Sequence, residues 1–107
     1  MDKLNRDKLE SIATKVESLG EDVGLLLRLA DTNGRSYGSP LPAEIPELII
    51  ALAKSTRSRS STTIGKDMVY ALPVFIEGET LIVIIYGEVR EDHSFRLIKH
   101  VLERSMV

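Results

Sequence analysis

The side chains best suited to acid–base or metal chemistry are the two histidines, His93 and His100. On one helix their spacing would separate them by about 10 Å along the axis, too far for one metal ion to bind both. The adjacent Asp92, His93 and Ser94 do not indicate a catalytic triad, because triad members are brought together by the fold. The absence of cysteine excludes a thiol nucleophile and thiolate metal ligands. We therefore predict no catalytic residue, no metal and no cofactor.

A polar segment from Lys54 to Thr63, with Lys66 beyond it, concentrates positive charge and hydroxyl groups. Arg57 and Arg59 could hold a carboxylate or phosphate, helped by neighbouring hydroxyl donors. The same composition also suits a solvated loop and a sheet edge that charge protects from aggregation. A nucleic-acid patch is the least favoured interpretation, because few aromatic residues lie near and the net charge is -2. We predict no nucleic-acid partner.

Length and composition are those of a small globular domain. The chain has 107 residues, of which 43% are hydrophobic and 28% charged, enough for one domain with a real core. No apolar run approaches the roughly 18 to 20 residues of a membrane span. The charged N-terminus does not resemble a signal peptide. We expect one cytoplasmic domain over residues 1–107, with no membrane partner.

The elements that would position the polar residues centre on a long hairpin, Met68 to Gly87. Its two apolar arms meet at a tight turn, Glu77-Gly78, where the glycine can supply a positive φ. Leu81 to Ile85 contain no polar residue, so both faces of this strand are apolar. Because an antiparallel hairpin normally leaves one face in water, this pattern predicts a sheet that is covered on both faces.

Three helices surround the predicted hairpin in sequence. Residues 2–19 have amphipathic spacing, with Gly20 as the expected stop. A second helix should begin near Pro46 and run to Lys54; it is apolar nearly all round, which predicts burial. A third amphipathic helix is predicted over 94–106. The remaining strands are expected at 23–30, at 35–38 and within 55–66.

The second half of the chain resembles GAF domains. Tyr70-Ala-Leu-Pro-Val74, Glu77-Gly-Glu-Thr-Leu81 and Ile84-Ile-Tyr-Gly87 are similar to the GAF pattern of an apolar strand with Leu-Pro, a glycine turn and a last strand. Asp31-Thr-Asn-Gly34 is similar to the usual Asp-x-x-Gly turn. The element order resembles both the GAF and PAS group of sensory domains and the roadblock family. Either resemblance implies an α/β fold of the α+β type, with an antiparallel sheet of order 2-1-5-4-3.

In that fold the terminal helices would cover one face of the five-stranded sheet and the middle helix the other. The GAF and PAS resemblance implies a non-catalytic sensory or regulatory domain of bacterial-type signalling. It would bind a small ligand or partner and signal through the terminal helices of a homodimer to an output domain beyond Val107, the chain being the N-terminal part of a longer protein. The roadblock resemblance implies instead a dimeric scaffold that binds a small GTPase or another protein. Ile82 and Val83, where GAF domains commonly have a glycine, favour the scaffold, as does the short length of the chain. The Leu-Pro and glycine-turn pattern favours the GAF interpretation instead.

The two interpretations predict different structures. A sensor should have a cavity between the sheet and the second helix, whereas a scaffold should have a filled core and a large apolar surface across a sheet edge or the terminal helices. The residues expected to contact a ligand are Tyr37, Leu48, Leu52, Arg57, Arg59, Tyr70 and Leu72. The alternative to ligand contact, for the apolar residues among these, is packing in the core. The residues expected at a dimer interface are Leu4, Leu9, Ile12, Val16, Leu97 and Val101.

Overall fold

The computed structural model describes residues 5–41 and 44–105 of the chain. In this part of the chain five antiparallel strands form one sheet of order β2-β1-β5-β4-β3. The elements in chain order are α1 Arg6–Val23, β1 Leu26–Asp31, β2 Ser36–Tyr37, α2 Glu47–Thr56, β3 Ser60–Ile64, β4 Asp67–Ile76, β5 Glu79–Tyr86 and α3 Asp92–Ser105. The predicted fold class, element order and sheet order are confirmed.

The central hairpin forms as its sequence predicts. β4 and β5 pair from Ile76↔Glu79 to Val69↔Tyr86, so the loop between them has two residues. Both loop residues have positive φ, 53° at Glu77 and 80° at Gly78, which is the geometry of a type I′ turn. β5 also pairs with β1, so it lies inside the sheet with partners on both sides. This position explains why its sequence is apolar on both faces.

The terminal helices cover one face of the sheet. Leu72, Val74 and Ile76 alternate along β4 toward this face, as residues two apart in a strand must. They meet α1 at Val16 and α3 at Ile98 in the larger of the two core clusters. The predicted side of the sheet for these helices is therefore confirmed.

The middle helix covers the opposite face, as predicted. Ile49, Ile50 and Ala53 of α2 are buried against the alternate residues of the strands, among them Ala71 and Ile84. Small alanine side chains on both surfaces allow the helix to lie close to the sheet. The layer between α2 and the sheet is filled by this second core cluster, which consists of Ala30, Ile45, Ile49, Ile50, Ala53, Val69, Ala71, Ile82 and Ile84.

The prediction that α2 is buried nearly all round is wrong. Leu48 is 67% exposed and Leu52 is 43% exposed. The contacts of α2 are with β3, β4 and β5, which all lie on one side of it. A helix packed on one sheet face buries one stripe only, so the opposite stripe faces solvent.

The end of α1 also differs from the prediction. The helix continues past Gly20 and ends at Gly24, whose φ of 74° is left-handed. Gly20 is instead a close contact: a Cβ there would lie 2.6 Å from the carbonyl oxygen of Leu25. The glycine at 20 therefore lets the helix approach the start of β1. Its role depends on a tertiary contact that no local signal encodes.

Within the described ranges, no helix combines the length and the apolar character needed to cross a membrane.

Candidate functional site

The predicted ligand-contact residues do not form one pocket; they separate into three regions. Arg57, Arg59 and Leu72 line a groove between α3 and the loop that follows α2. Tyr37 lies in a second groove near the start of α1. Leu48 and Leu52 lie on the outer face of α2, away from the sheet.

The first region, here called the cationic groove, has a volume of about 380 Å³. It lies beside the end of β4 that extends past β3, because β3 pairs only as far as Ser60↔Ala71 while β4 continues to Ile76. α3 forms its other wall. The lining residues are Arg57, Ser58, Arg59, Leu72, Pro73, Phe95, Arg96 and Lys99.

Arg59 is held in this groove by two contacts. Its guanidinium carbon lies 4.2 Å from the centre of the Phe95 ring, a cation–π arrangement. One of its terminal nitrogens donates to Asp92 Oδ1 at 2.8 Å. Tyr70 contacts the Phe95 ring, with the two ring centres 4.9 Å apart. Tyr70 therefore acts on the groove through Phe95 and does not line it.

Lys99 and Glu103 of α3 form an ion pair beside the edge of β4 that extends past β3. Glu103 Oε2 also accepts the backbone N–H of Phe75 at 2.8 Å. Pro73 lies two residues earlier on β4, with its nitrogen on the same edge, and has no N–H to offer. This edge therefore lacks the free donors that a further strand would need.

Two cations of the groove have no carboxylate partner among the residues that the structure describes: Arg57 and Arg96. Arg57 follows α2 directly and has a φ of 56°. Glycine is the usual residue in this left-handed conformation at a helix end, because a Cβ is disfavoured there. The cationic groove therefore combines unpaired positive charge with one strained arginine.

The second region, here called the Tyr37 groove, is larger, about 890 Å³, and both carboxylate oxygens of Asp31 in it already accept hydrogen bonds. Asp31 Oδ1 accepts the backbone N–H groups of Asn33 and Arg35, each at 2.9 Å. Asp31 Oδ2 accepts the Tyr37 hydroxyl at 3.0 Å. Partial burial, together with this hydrogen bond to Asp31, raises the pKa of Tyr37. These bonds hold the β1–β2 turn, so we assign the region a structural role.

Two carboxylates of α1 hold the chain after β2. Glu10 Oε2 accepts the N–H of Gly38, and Glu17 Oε2 accepts that of Ser39, both at 3.0 Å. Burial of Glu17 opposes its ionisation, but the bonds from Ser39 and the charge of Arg28 outweigh this and lower its pKa. Glycine suits position 38, because its φ of 81° is left-handed and an added Cβ would lie 2.9 Å from the Cβ of Ala13.

The third region, here called the outer face of α2, consists of Leu48, Ala51, Leu52 and Ser55. All four residues are exposed, and residues three and four apart on a helix share one side. The two leucines make this side apolar. α2 itself contacts β3, which forms one edge of the sheet.

The predicted dimer residues are divided between core and surface. Leu9, Ile12 and Val16 are buried against the sheet, so an interface could not use them while α1 stays packed. Leu97 is 52% exposed and Val101 is partly buried on α3. Leu4 lies outside the described residues.

In the described ranges, no group of three or more His, Cys, Asp or Glu residues could hold a metal ion. No protein-family model, curated protein or solved structure matches the chain. The GAF, PAS and roadblock resemblances therefore stay predictions from the sequence, and function must be argued from the three regions above.

Proposed function

We propose that the chain is a non-catalytic regulatory domain that serves as a homodimeric scaffold for another protein, with two copies meeting at the outer face of α2. One observation supports this proposal: α2 is tightly packed on the side that faces the sheet and apolar on the side that faces solvent. The filled layer between α2 and the sheet leaves little reason to expect a buried ligand there. Two leucines four residues apart, Leu48 and Leu52, give the opposite side an apolar ridge.

The second copy is the occupant that the charges of α2 favour. Glu47 stands at the beginning of the helix and Lys54 near its end, with Ala51 midway between them. In an antiparallel pair of α2 helices related by a two-fold axis near Ala51, each Glu47 would approach the partner's Lys54. A surface with opposite charges at its two ends is complementary to itself, as a two-fold interface requires. The small Ala51 and Ser55 would let the helices come close.

A stable interface needs more area than α2 alone provides, so we extend the proposed surface to the edge of the sheet. α2 has 10 residues, so it is about 15 Å long, and one short helix buries less than the roughly 1,000 Å² expected of a specific interface. β3 lies beside α2 and pairs with β4, with its other edge at the margin of the sheet. Contacts along β3 would supply the additional area.

The nature of the bound protein comes from the sequence. The roadblock resemblance implies a scaffold for a small GTPase or another protein, and a filled core agrees better with that interpretation than with a sensor. A cytoplasmic setting belongs to the same proposal, since a chain without cysteine does not depend on disulfides. The alternative, a ligand-binding sensor, is favoured by one observation, the cationic groove, which lies apart from α2's packed layer.

A matched pair of variants tests the proposal. Leu48→Glu should convert a dimer of the full chain into a monomer, measured by light scattering across a concentration series. Leu97→Glu puts the same charge on a comparably exposed leucine of α3 and should leave the dimer intact. Both variants should keep a thermal midpoint close to that of the unchanged protein, because neither side chain is in the core. A wild-type monomer at all concentrations, or a dimer that only Leu97→Glu disrupts, would overturn the proposal.

A further inference from the structure

We infer that the cationic groove binds an organic oxyanion: an apolar body carrying a phosphate or carboxylate group. The apolar body would lie over the small accessible part of Leu72, Pro73 and Phe95 at the floor of the groove, and the oxyanion would be held by Arg57 and Arg96. This site goes beyond the proposed scaffold function and does not depend on it.

The first argument is uncompensated charge. Four cationic side chains converge on the groove, in a chain whose net charge is -2. Asp92 pairs with Arg59 and Glu103 with Lys99, whereas Arg57 and Arg96 pair with no carboxylate in the described ranges. Like charges gathered without partners repel one another, so their proximity destabilises the free protein. An oxyanion would relieve that repulsion and offer acceptors for guanidinium hydrogen bonds.

The second argument is the floor of the groove. Phe95 is 3% exposed and Leu72 is 5% exposed, so both are fixed by packing. Arg59 is also positioned in advance, between the Phe95 ring and Asp92. Side chains that are ordered before binding lose little entropy when a ligand arrives. An apolar floor beneath a cationic rim fits an anion with an apolar body better than inorganic phosphate alone.

The third argument is the backbone at Arg57. The chain places glycine at the left-handed end of α1, Gly24, but arginine at the left-handed end of α2. A residue with a Cβ is disfavoured in that conformation, and such strain is found preferentially at functional sites. The conformation sends the chain from α2 into the groove and brings Arg57 to the same cavity as Arg96.

The strand edge indicates how the ligand is recognised. Pro73 has no N–H, and the N–H of Phe75 already bonds Glu103. An extended peptide therefore could not pair along this edge as an added strand. Recognition would depend on side chains, which suits a small anion or a single anionic side chain.

Titration of the full chain with three probes tests the site, followed by amide chemical shifts. Phenyl phosphate, which has both an apolar body and a dianion, should cause saturable shifts at residues 57–59, 72–75 and 95–99. Benzoate should bind the same residues, and its affinity relative to phenyl phosphate tells which head group is preferred. Phenol lacks the charge and should cause no saturable shift there. Binding should weaken as salt is added, because it depends on charge.

Two variants in the groove, compared with two control variants outside it, separate the site from general attraction to positive charge. Arg57→Gly and Arg96→Gln should each weaken phenyl phosphate binding about tenfold, since each removes a charged hydrogen-bond donor. Arg57→Gly should keep or raise the thermal midpoint, because glycine suits the left-handed conformation. Lys66→Gln and Arg104→Gln remove positive charge outside the groove lining and should change affinity less than about twofold.

Three results would overturn the inference. One is the absence of saturable shifts with either anion at millimolar concentration. Another is binding that phenol reproduces, which would mean that the floor alone attracts aromatic compounds. The last is affinity that falls as much with Lys66→Gln as with Arg96→Gln, which would mean unspecific attraction. A failure of dimerisation leaves these measurements valid, because they are made on the folded chain in either state.

Discussion

The terminal helices are more buried than a dimer surface would require, whereas α2 is more exposed than its apolar sequence predicts. α1 and α3 have amphipathic patterns that predicted a dimer surface, yet Leu9, Ile12 and Val16 are buried beneath the sheet. α2 is apolar nearly all round and was expected to be buried, yet Leu48 and Leu52 are exposed.

The comparison shows what each pattern means in a chain this small. An amphipathic helix has one apolar stripe, and a single sheet face satisfies it. A helix with two apolar sides cannot bury both in a domain with one layer on each side of the sheet. In the proposed dimer, the second apolar side of α2 contacts a second copy of this chain.

The largest effect is expected from a charge in the packed side of α1. Val16 is fully buried, so Val16→Asp should destabilise the domain by on the order of 4 kcal/mol or prevent folding. Urea denaturation measures this, with Thr14→Asp on the exposed side of α1 as control. A Val16→Asp protein as stable as the control would mean that α1 does not pack as described.

A smaller effect is expected from the charges that flank the outer face of α2. Glu47→Lys should weaken the dimer by roughly 0.5 to 1 kcal/mol, because it places two lysines together across the two-fold axis. Adding Lys54→Glu to the same chain should restore the affinity, since the reversed charges again oppose each other. Sedimentation equilibrium measures both. A double variant no tighter than Glu47→Lys alone would contradict the antiparallel arrangement.

The fold was predictable to a large extent, and the reason lies in β5. A strand apolar on both faces must be central and covered twice, which predicted a sheet covered on both faces around the hairpin. The strand order came from the resemblance of the element order to GAF, PAS and roadblock folds. The role of Gly20 was not predictable, because its close contact with Leu25 forms only after α1 packs. A glycine after an amphipathic run is ordinarily a stop signal.

The candidate site was predictable only in part. Arg57, Arg59 and Leu72 were identified and do meet in one groove. Sequence reasoning missed Phe95, Arg96 and Lys99. These residues reach the groove only because α3 packs on β4, which lies well before it in the sequence. A local signal existed: residues 92, 95, 96, 99 and 103 recur at helical spacing and combine charges with an aromatic ring.

The smallest effect concerns pH and the α1 side of the molecule. Because the fold lowers the pKa of Glu17, its ionised form stabilises the fold above the ordinary carboxyl pKa of about 4.3. That contribution is lost as pH falls below this value, through the lowered pKa. Glu17→Gln should therefore be less stable than wild type near neutral pH, by a margin that becomes smaller at acid pH. Equal stability differences at both pH values, measured by thermal denaturation, would remove this role.

Single-cysteine cross-linking can locate the dimer interface, and the chain is suited to it because it has no cysteine of its own. Ala51→Cys would stand near the proposed two-fold axis, and Leu97→Cys on the exposed side of α3 is the matched control. We predict that mild oxidation converts Ala51→Cys into a covalent dimer while Leu97→Cys stays monomeric under denaturing conditions. Cross-linking of Leu97→Cys with Ala51→Cys unreacted would place the interface on the terminal helices and contradict the account.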